Sequence, residues 1–124
     1  MNIEQLRAYC LAKKGTHDGF PFDENTLVFK VLNKMFVLAP LNLWDKGEAT
    51  ITLKCDPDYT GQLRAEYSSI YAGPYVSNTH WNTVALYKGE LNTQLIKDLI
   101  DHSYDMVVKG MTKKMQKQLE ELQG

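Results

Sequence analysis

Cysteine is scarce. Cys10 and Cys55 are the two in 124 residues, too few for the disulfide framework of a small secreted domain. Both fall on what the surrounding pattern makes core faces, so two unpaired, buried thiols are expected. Long apolar runs are missing: no stretch approaches the roughly 18 consecutive apolar residues of a membrane span. The opening, Met-Asn-Ile-Glu-Gln-Leu-Arg, lacks the basic start and apolar core of a secretory signal. A cytoplasmic protein with no membrane partner is the expectation. An excess of one charge is missing too, since fourteen Lys and Arg against fifteen Asp and Glu leave a formal −1. No global field then draws the chain to phosphate backbones or anionic lipid. Any contact with nucleic acid has to come from a local patch.

Reactive constellations are equally thin. His17, His80 and His102 do not fall at the close spacing of a zinc motif, so no metal and no other cofactor is expected. Ser103, between His102 and Tyr104, has no glycine elbow before it, and on a helix its neighbours point to other faces. A helical serine often bonds back to the carbonyl four residues earlier. Asp56 and Asp58 are explained by a helix start, where negative charge is favourable. Without a nucleophile and base or a ligand cluster, an enzyme is not expected.

What is present is a globular composition, 44% apolar and 23% charged, in a chain the size of one ordinary domain. From Asn2 to about Lys14, Ile3, Leu6 and Cys10 recur on one helical face, with Asn2 as cap and Gly15 as stop. Residues Gly15 to Asn25 are rich in breakers and read as a loop, with Phe20 and Phe22 around Pro21 tucked against the core. Thr26 to Leu32 and Met35 to Ala39 read as a hairpin about Asn33-Lys34, ended by Pro40. Leu41 to Glu48 is a loop holding Trp44.

The clearest strand is Ala49 to Cys55. Ala49, Ile51, Leu53 and Cys55 alternate there with Thr50, Thr52 and Lys54, one set for the core and the other for water or a partner. Asp56 caps a second helix with Pro57 in its first position, and Leu63 and Tyr67 give it an apolar stripe. Ile70 to Val76, broken by Gly73-Pro74, is an irregular strand or a packed loop. A polar tip at His80-Trp81 precedes a strand from Thr83 to Tyr87, and Lys88-Gly89 is a turn. A long helix follows with Leu95, Ile96, Leu99, Ile100, Ser103, Met106 and Val107 on one face. Gly110 breaks or kinks it, and 111–124 is a polar, frayed helical tail.

These elements predict an α+β fold, a single domain over 1–124. It is a two-layer sandwich with a mainly antiparallel sheet covered by helices on one face. The other face would lie open and carry Thr50, Thr52 and Lys54, with Lys30 beside them.

Several spaced motifs, in order, carry a resemblance. They are Phe20-Pro21-Phe22; Val28-Phe29-Lys30-Val31 with Lys34 and Met35-Phe36; Leu53-Lys54-Cys55-Asp56-Pro57 with Leu63-Arg64; His80-Trp81-Asn82-Thr83-Val84; and Leu99-Ile100 with Ser103-Tyr104 and Val107. In these the chain resembles the MmcQ/YjbR family of small bacterial proteins, from the first helix to about Lys114. The resemblance implies a frataxin-like (CyaY-like) two-layer fold and DNA binding through a "double wing" use of the sheet. Relatives of this pattern often carry a basic residue just ahead of His-Trp, whereas here Tyr75 to Thr79 has none. The acidic iron-binding ridge of frataxins is not carried over, because the first helix has Glu4 alone and ends in Lys13-Lys14.

The candidate DNA-binding residues are therefore Lys30, Lys34, Lys54, His80 and Trp81. An indole stacks on bases, and a histidine or lysine donates to phosphate. Each also has a plainer reading: Trp81 as a core anchor, the lysines as solubilising charges on an exposed sheet. Lys109, Lys113 and Lys117, with Lys114 alongside, form a basic stripe at helical spacing that a solvated face would explain equally. The expected partner is double-stranded DNA. The rival is a protein or peptide bound on the same face, which predicts weak salt dependence and an exposed apolar patch. A monomer is expected.

Overall fold

The computed structural model describes residues 1–73, 77 and 79–122. Its element order is α1 (Ile3–Leu11), β1 (Thr16–Gly19), β2 (Thr26–Val31), β3 (Lys34–Pro40), α2 (Leu41–Asp45) and β4 (Thr50–Lys54). These are followed by α3 (Pro57–Glu66), β5 (Ile70–Tyr71), β6 (Trp81–Ala85), α4 (Thr93–Lys109) and α5 (Lys113–Glu121), with a 3-10 turn at Leu86–Lys88. The six strands form one sheet in the order β1-β2-β3-β4-β6-β5, each neighbouring pair antiparallel. The fold is α+β, as the alternation in β4 implied.

Four of the five described helices start where short polar side chains take up free backbone donors; α2, after Pro40, has no such cap. Asn2 and Gln5 form a reciprocal capping box at α1. Asp56 accepts from the amides of Asp58 and Tyr59 ahead of Pro57 at α3, and Asn92 accepts from Leu95 at α4. All five described helices then contribute to one cluster on a single face of the sheet. Leu6, Cys10, Leu63, Ile96, Leu99, Ile100, Val107 and Leu119 meet Leu27, Phe29, Phe36, Val37, Ile51, Leu53 and Val84 there, with Trp44 of α2 packed against them. The edge of the Phe36 ring meets Tyr104 of α4 at 5.4 Å between centroids.

Several expectations are corrected. Thr16 to Gly19 is not loop but an edge strand, paired through its backbone with Val28 to Val31. Phe20 and Phe22 do not tuck into the core; they lie in the connection between β1 and β2 and are 49% and 63% exposed. The hairpin turns at Leu32-Asn33, one residue earlier than read, with Leu32 in the left-handed region at φ 54°. Leu41–Asp45 is a short helix whose Trp44 indole donates to the Thr50 carbonyl at 2.9 Å. Of Ile70 to Val76, only Ile70–Tyr71 is strand, and residues 74–76 lie outside the described residues.

The C-terminal segment is a separately capped helix, not a frayed tail. Thr112 accepts from Met115, and Leu119 is buried against the core. The stripe of Lys109, Lys113 and Lys117 is accordingly divided between two helices.

The second face of the sheet meets no helix among the described residues, yet it is not bare throughout. Register puts Val28, Leu38, Thr52, Thr83 and Tyr71 in one row across it. Val28, Leu38, Thr50, Thr83 and Ala85 are all buried although none belongs to the helix-side cluster. Thr50, expected on an open surface, lies opposite Ala85 and is only 6% exposed. Part of the cover comes from the chain after β5: Gly73 sits so close on Thr83 that a Cβ there would collide with the threonine hydroxyl. The accessible part of this face is the end where Lys30, Lys54 and Trp81 stand, all half-buried.

Candidate functional site

That end of the sheet is irregular for two linked reasons. First, β3 carries an extra residue: Phe29 pairs with Val37 while Lys30 pairs with Met35, which leaves Phe36 as a bulge. A bulge bends its strand and re-aims side chains. Here it sends Phe36 and Val37 both into the helix-side core, and leaves Met35 beside Lys30 on the other side.

Second, the β3–β4 ladder stops after Val37–Leu53 and Leu38–Thr52. Beyond it the Ser103 hydroxyl, projecting from α4, stands between the strands. It accepts from the Lys54 amide at 2.8 Å and donates to the Phe36 carbonyl at 2.6 Å. The hydroxyl replaces one direct strand-to-strand bond with two bonds through itself. The strands are thereby held apart at this end while the Lys54 amide and the Phe36 carbonyl both keep a partner.

A cleft of about 240 Å³ opens at the splay, lined by Lys34 and Met35 of β3, Lys54 of β4, Trp81 of β6, and Val107 and Gly110 at the end of α4. Lys54 and Trp81 are direct cross-strand partners. Lys34 pairs with Val31, so by alternation it belongs to the helix side of its strand, and it reaches the cleft from the strand's end. Lys30 stands beside Met35 one strand outward. Among the described residues none of Lys30, Lys34 and Lys54 has a carboxylate within ion-pair distance; the two described ion pairs are Arg7–Asp18 and Lys13–Asp101, both elsewhere.

Trp81 is not at a loop tip but opens β6, because its pairing with Lys54 extends the strand two residues earlier than composition suggests. It lies outside the core cluster and its surrounding shell, half-buried on the helix-free side. Its backbone is held from behind: Arg64 Nη2 donates to its carbonyl at 3.1 Å. Arg64 Nε donates to Asn82 Oδ1, and Asn82 Nδ2 in turn to Thr60 Oγ1. His80 is exposed in the turn just before it, and its carbonyl accepts from the Cys55 amide. On the same face but at the far edge, Tyr71 lies under the Lys88 ammonium, 5.8 Å from the ring centroid.

Three of the five candidate residues, Lys34, Lys54 and Trp81, thus line one cleft; Lys30 stands one strand outward, and His80 is next in sequence to Trp81. Composition and alternation could find Lys54 and Trp81. They could not find Val107, Gly110 or Ser103, whose parts depend on where α4 ends above the sheet.

The other reactive groups are occupied structurally. Burial pushes the Cys10 thiol up to about 12, with the nearby Lys13 charge opposing. Burial also raises Cys55, against a Thr60 hydrogen bond that favours its thiolate. Both cysteines are free, buried and protonated at neutral pH. His102 Nε2 accepts from the Asp56 amide at 3.1 Å, which leaves that nitrogen unprotonated, and its ring meets Tyr59 edge-on. No group of three or more His, Cys, Asp or Glu is placed to hold a metal among the described residues. No described helix is long and apolar enough to cross a membrane.

A small α+β domain with five helices on one side of an antiparallel sheet is the type of protein this geometry defines. The chain belongs to the YjbR family, whose model matches residues 11–106. It is similar to YbdF of Escherichia coli O157:H7, with 34% identity over 101 residues, covering 81% of this chain and 79% of that protein. It is also similar to YjbR of Escherichia coli strain K12, with 28% identity over 98% of this chain and all of that protein. Among solved structures, Deinococcus radiodurans protein DR2400, of the domain family DUF419, superposes with a TM-score of 0.85 at 34% identity, covering 96% of this chain and 88% of that one. A Pseudomonas syringae protein superposes at 0.70 with 26% identity, over 86% and 99% of the two chains.

Proposed function

We propose that the protein is a non-enzymatic DNA-binding protein that uses the helix-free end of its sheet, with Lys30, Lys34, Lys54, His80 and Trp81 as the contacting residues. One observation carries the reading. Lys34 and Lys54, without carboxylate partners among the described residues, line one cleft with a half-buried indole at the splayed end of the sheet, and Lys30, likewise without one, stands beside Met35 one strand outward. An ammonium group left unpaired by its own protein is available to phosphate, and phosphate contacts supply most of the affinity in nonspecific DNA binding. The double-wing and frataxin-like descriptions that the family resemblance suggests belong to this same reading.

The test is a titration of a fluorescently labelled duplex at low and moderate salt. Binding should be salt-sensitive, and Lys30→Gln and Lys54→Gln should each lower the slope of log affinity against log salt by about 1. Absence of duplex binding at low salt would end the double-stranded form of this reading. Binding of a peptide or protein on this face with little salt dependence would favour the adaptor in its place.

A further inference from the structure

The shape of the cleft says more than its charge. Reading a duplex in its major groove takes an element that enters the groove, a helix or a two-stranded ribbon. On the helix-free side no described helix projects, and the edge strands are four and two residues long. The feature at the splayed end, between the sheet and the end of α4, is concave. Its volume, about 240 Å³, is below the roughly 300–1,000 Å³ of ordinary small-molecule pockets, the scale of one ring system and its substituent.

Its lining is divided in kind. An indole, a methionine and a valine offer flat or apolar contact, two lysines offer positive charge, and Gly110 leaves space. A π-face beside ammonium groups that have no carboxylate partner among the described residues suits a base with its own phosphate, and that arrangement requires the base to be out of a helical stack.

We propose that this cleft seats a single unstacked nucleotide, its base against the Trp81 indole and its phosphate on the Lys34 and Lys54 ammonium groups, so that the protein favours single-stranded over duplex DNA. The inference rests on the nucleic-acid reading above and deepens it. The Ser103 hydroxyl acts as a positioning group, because by holding the ends of β3 and β4 apart it keeps the cleft open. The Arg64–Asn82 pair fixes the strand from which the indole projects.

The experiment compares three labelled probes at one low salt concentration: a short oligothymidylate, a duplex of the same length, and a single strand of the same length built entirely of abasic sugar-phosphate. It uses the full chain and its Trp44→Phe form, in which Trp81 is the remaining indole. The oligothymidylate should bind about tenfold or more tighter than both others, since each stacked base contributes roughly that much, and it should quench Trp81 emission. Trp81→Ala should remove the preference for bases over the abasic strand, and Trp81→Phe should restore part of it. Lys34→Gln with Lys54→Gln should weaken all three probes.

If no probe binds, the nucleic-acid reading itself fails and takes this inference with it. If the duplex binds as tightly as the single strand and Trp81 emission does not change, DNA binding stands and the single-nucleotide seat is overturned. Equal binding of oligothymidylate and abasic strand overturns it as well.

Discussion

Replacing Ser103 with valine is expected to lower the stability of the fold by about 2–4 kcal/mol, a large share of the roughly 5–15 kcal/mol of a typical domain. The side chain is fully buried and holds two backbone groups at once, the Lys54 amide and the Phe36 carbonyl. Valine removes the hydroxyl, adds a methyl group to a fully buried site, and leaves a donor and an acceptor each facing apolar carbon. A buried polar group stripped of its partner costs about 1–3 kcal/mol, and the neighbouring bulge at Phe36 limits how far the strands can close to satisfy each other. Urea unfolding measures the difference. A loss below about 0.5 kcal/mol, within the range of innocuous substitutions, would mean that the strands rejoin directly and that Ser103 does not hold them apart. Ser103→Ala, with space for a water, should lose less than valine.

The second large effect is at Gly15, between α1 and β1. Its φ of +71° lies in the left-handed region, and a Cβ there would stand 2.6 Å from Leu119 Cδ1 and 3.3 Å from Leu122 Cδ1. Valine at this position should destabilise by about 2–4 kcal/mol. A β-branched residue is a strong outlier in that conformation, the left-handed backbone alone costs roughly 1–2 kcal/mol, and Leu119 must shift out of its buried site. The loss should be uneven across the molecule. Helix α5, which rests on Gly15 through Leu119 and accepts from the Lys14 ammonium at the Glu120 carbonyl, should lose amide-exchange protection first. Gly15→Asn, whose side chain tolerates the left-handed region, separates the two causes. If asparagine is as damaging as valine, the contact with Leu119 dominates; if it is much milder, backbone strain does. A neutral Gly15→Val would show that α5 is not seated on the core.

The legible parts of the fold are those that local chemistry decides. Asn2, Asp56-Pro57 and Asn92 mark helix starts because short polar side chains there satisfy free amides wherever the helix ends up. The alternation from Ala49 to Cys55 fixes two faces because side chains on a strand have no other choice. Thr16 to Gly19 was illegible as a strand since Thr-His-Asp-Gly has no apolar alternation; it is held as an edge by backbone bonds to β2. The bulge hides inside the unbroken apolar run from Met35 to Ala39, where nothing distinguishes Phe36 from its neighbours.

The candidate site divides in the same way. Lys54 could be placed by the alternation along β4, whereas Trp81 reads as a loop tip because composition puts the start of β6 two residues late. Ser103 looked like a helical serine bonded to its own helix, and it bonds to the sheet. The buried centre of the second face was also missed, because burial of Val28, Leu38 and Thr50 depends on tertiary neighbours that leave no signature in those residues themselves.

On the proposed function, nucleic acid meets this protein at the splayed end of the sheet. Amide and indole chemical-shift mapping during titration with a short DNA oligonucleotide tests it directly. Shifts concentrated at Lys30, Lys34, Met35, Lys54, His80 and the Trp81 indole are the predicted result. Shifts concentrated on α1, α3 or the outer side of α4, with the Trp81 indole unmoved, would contradict it.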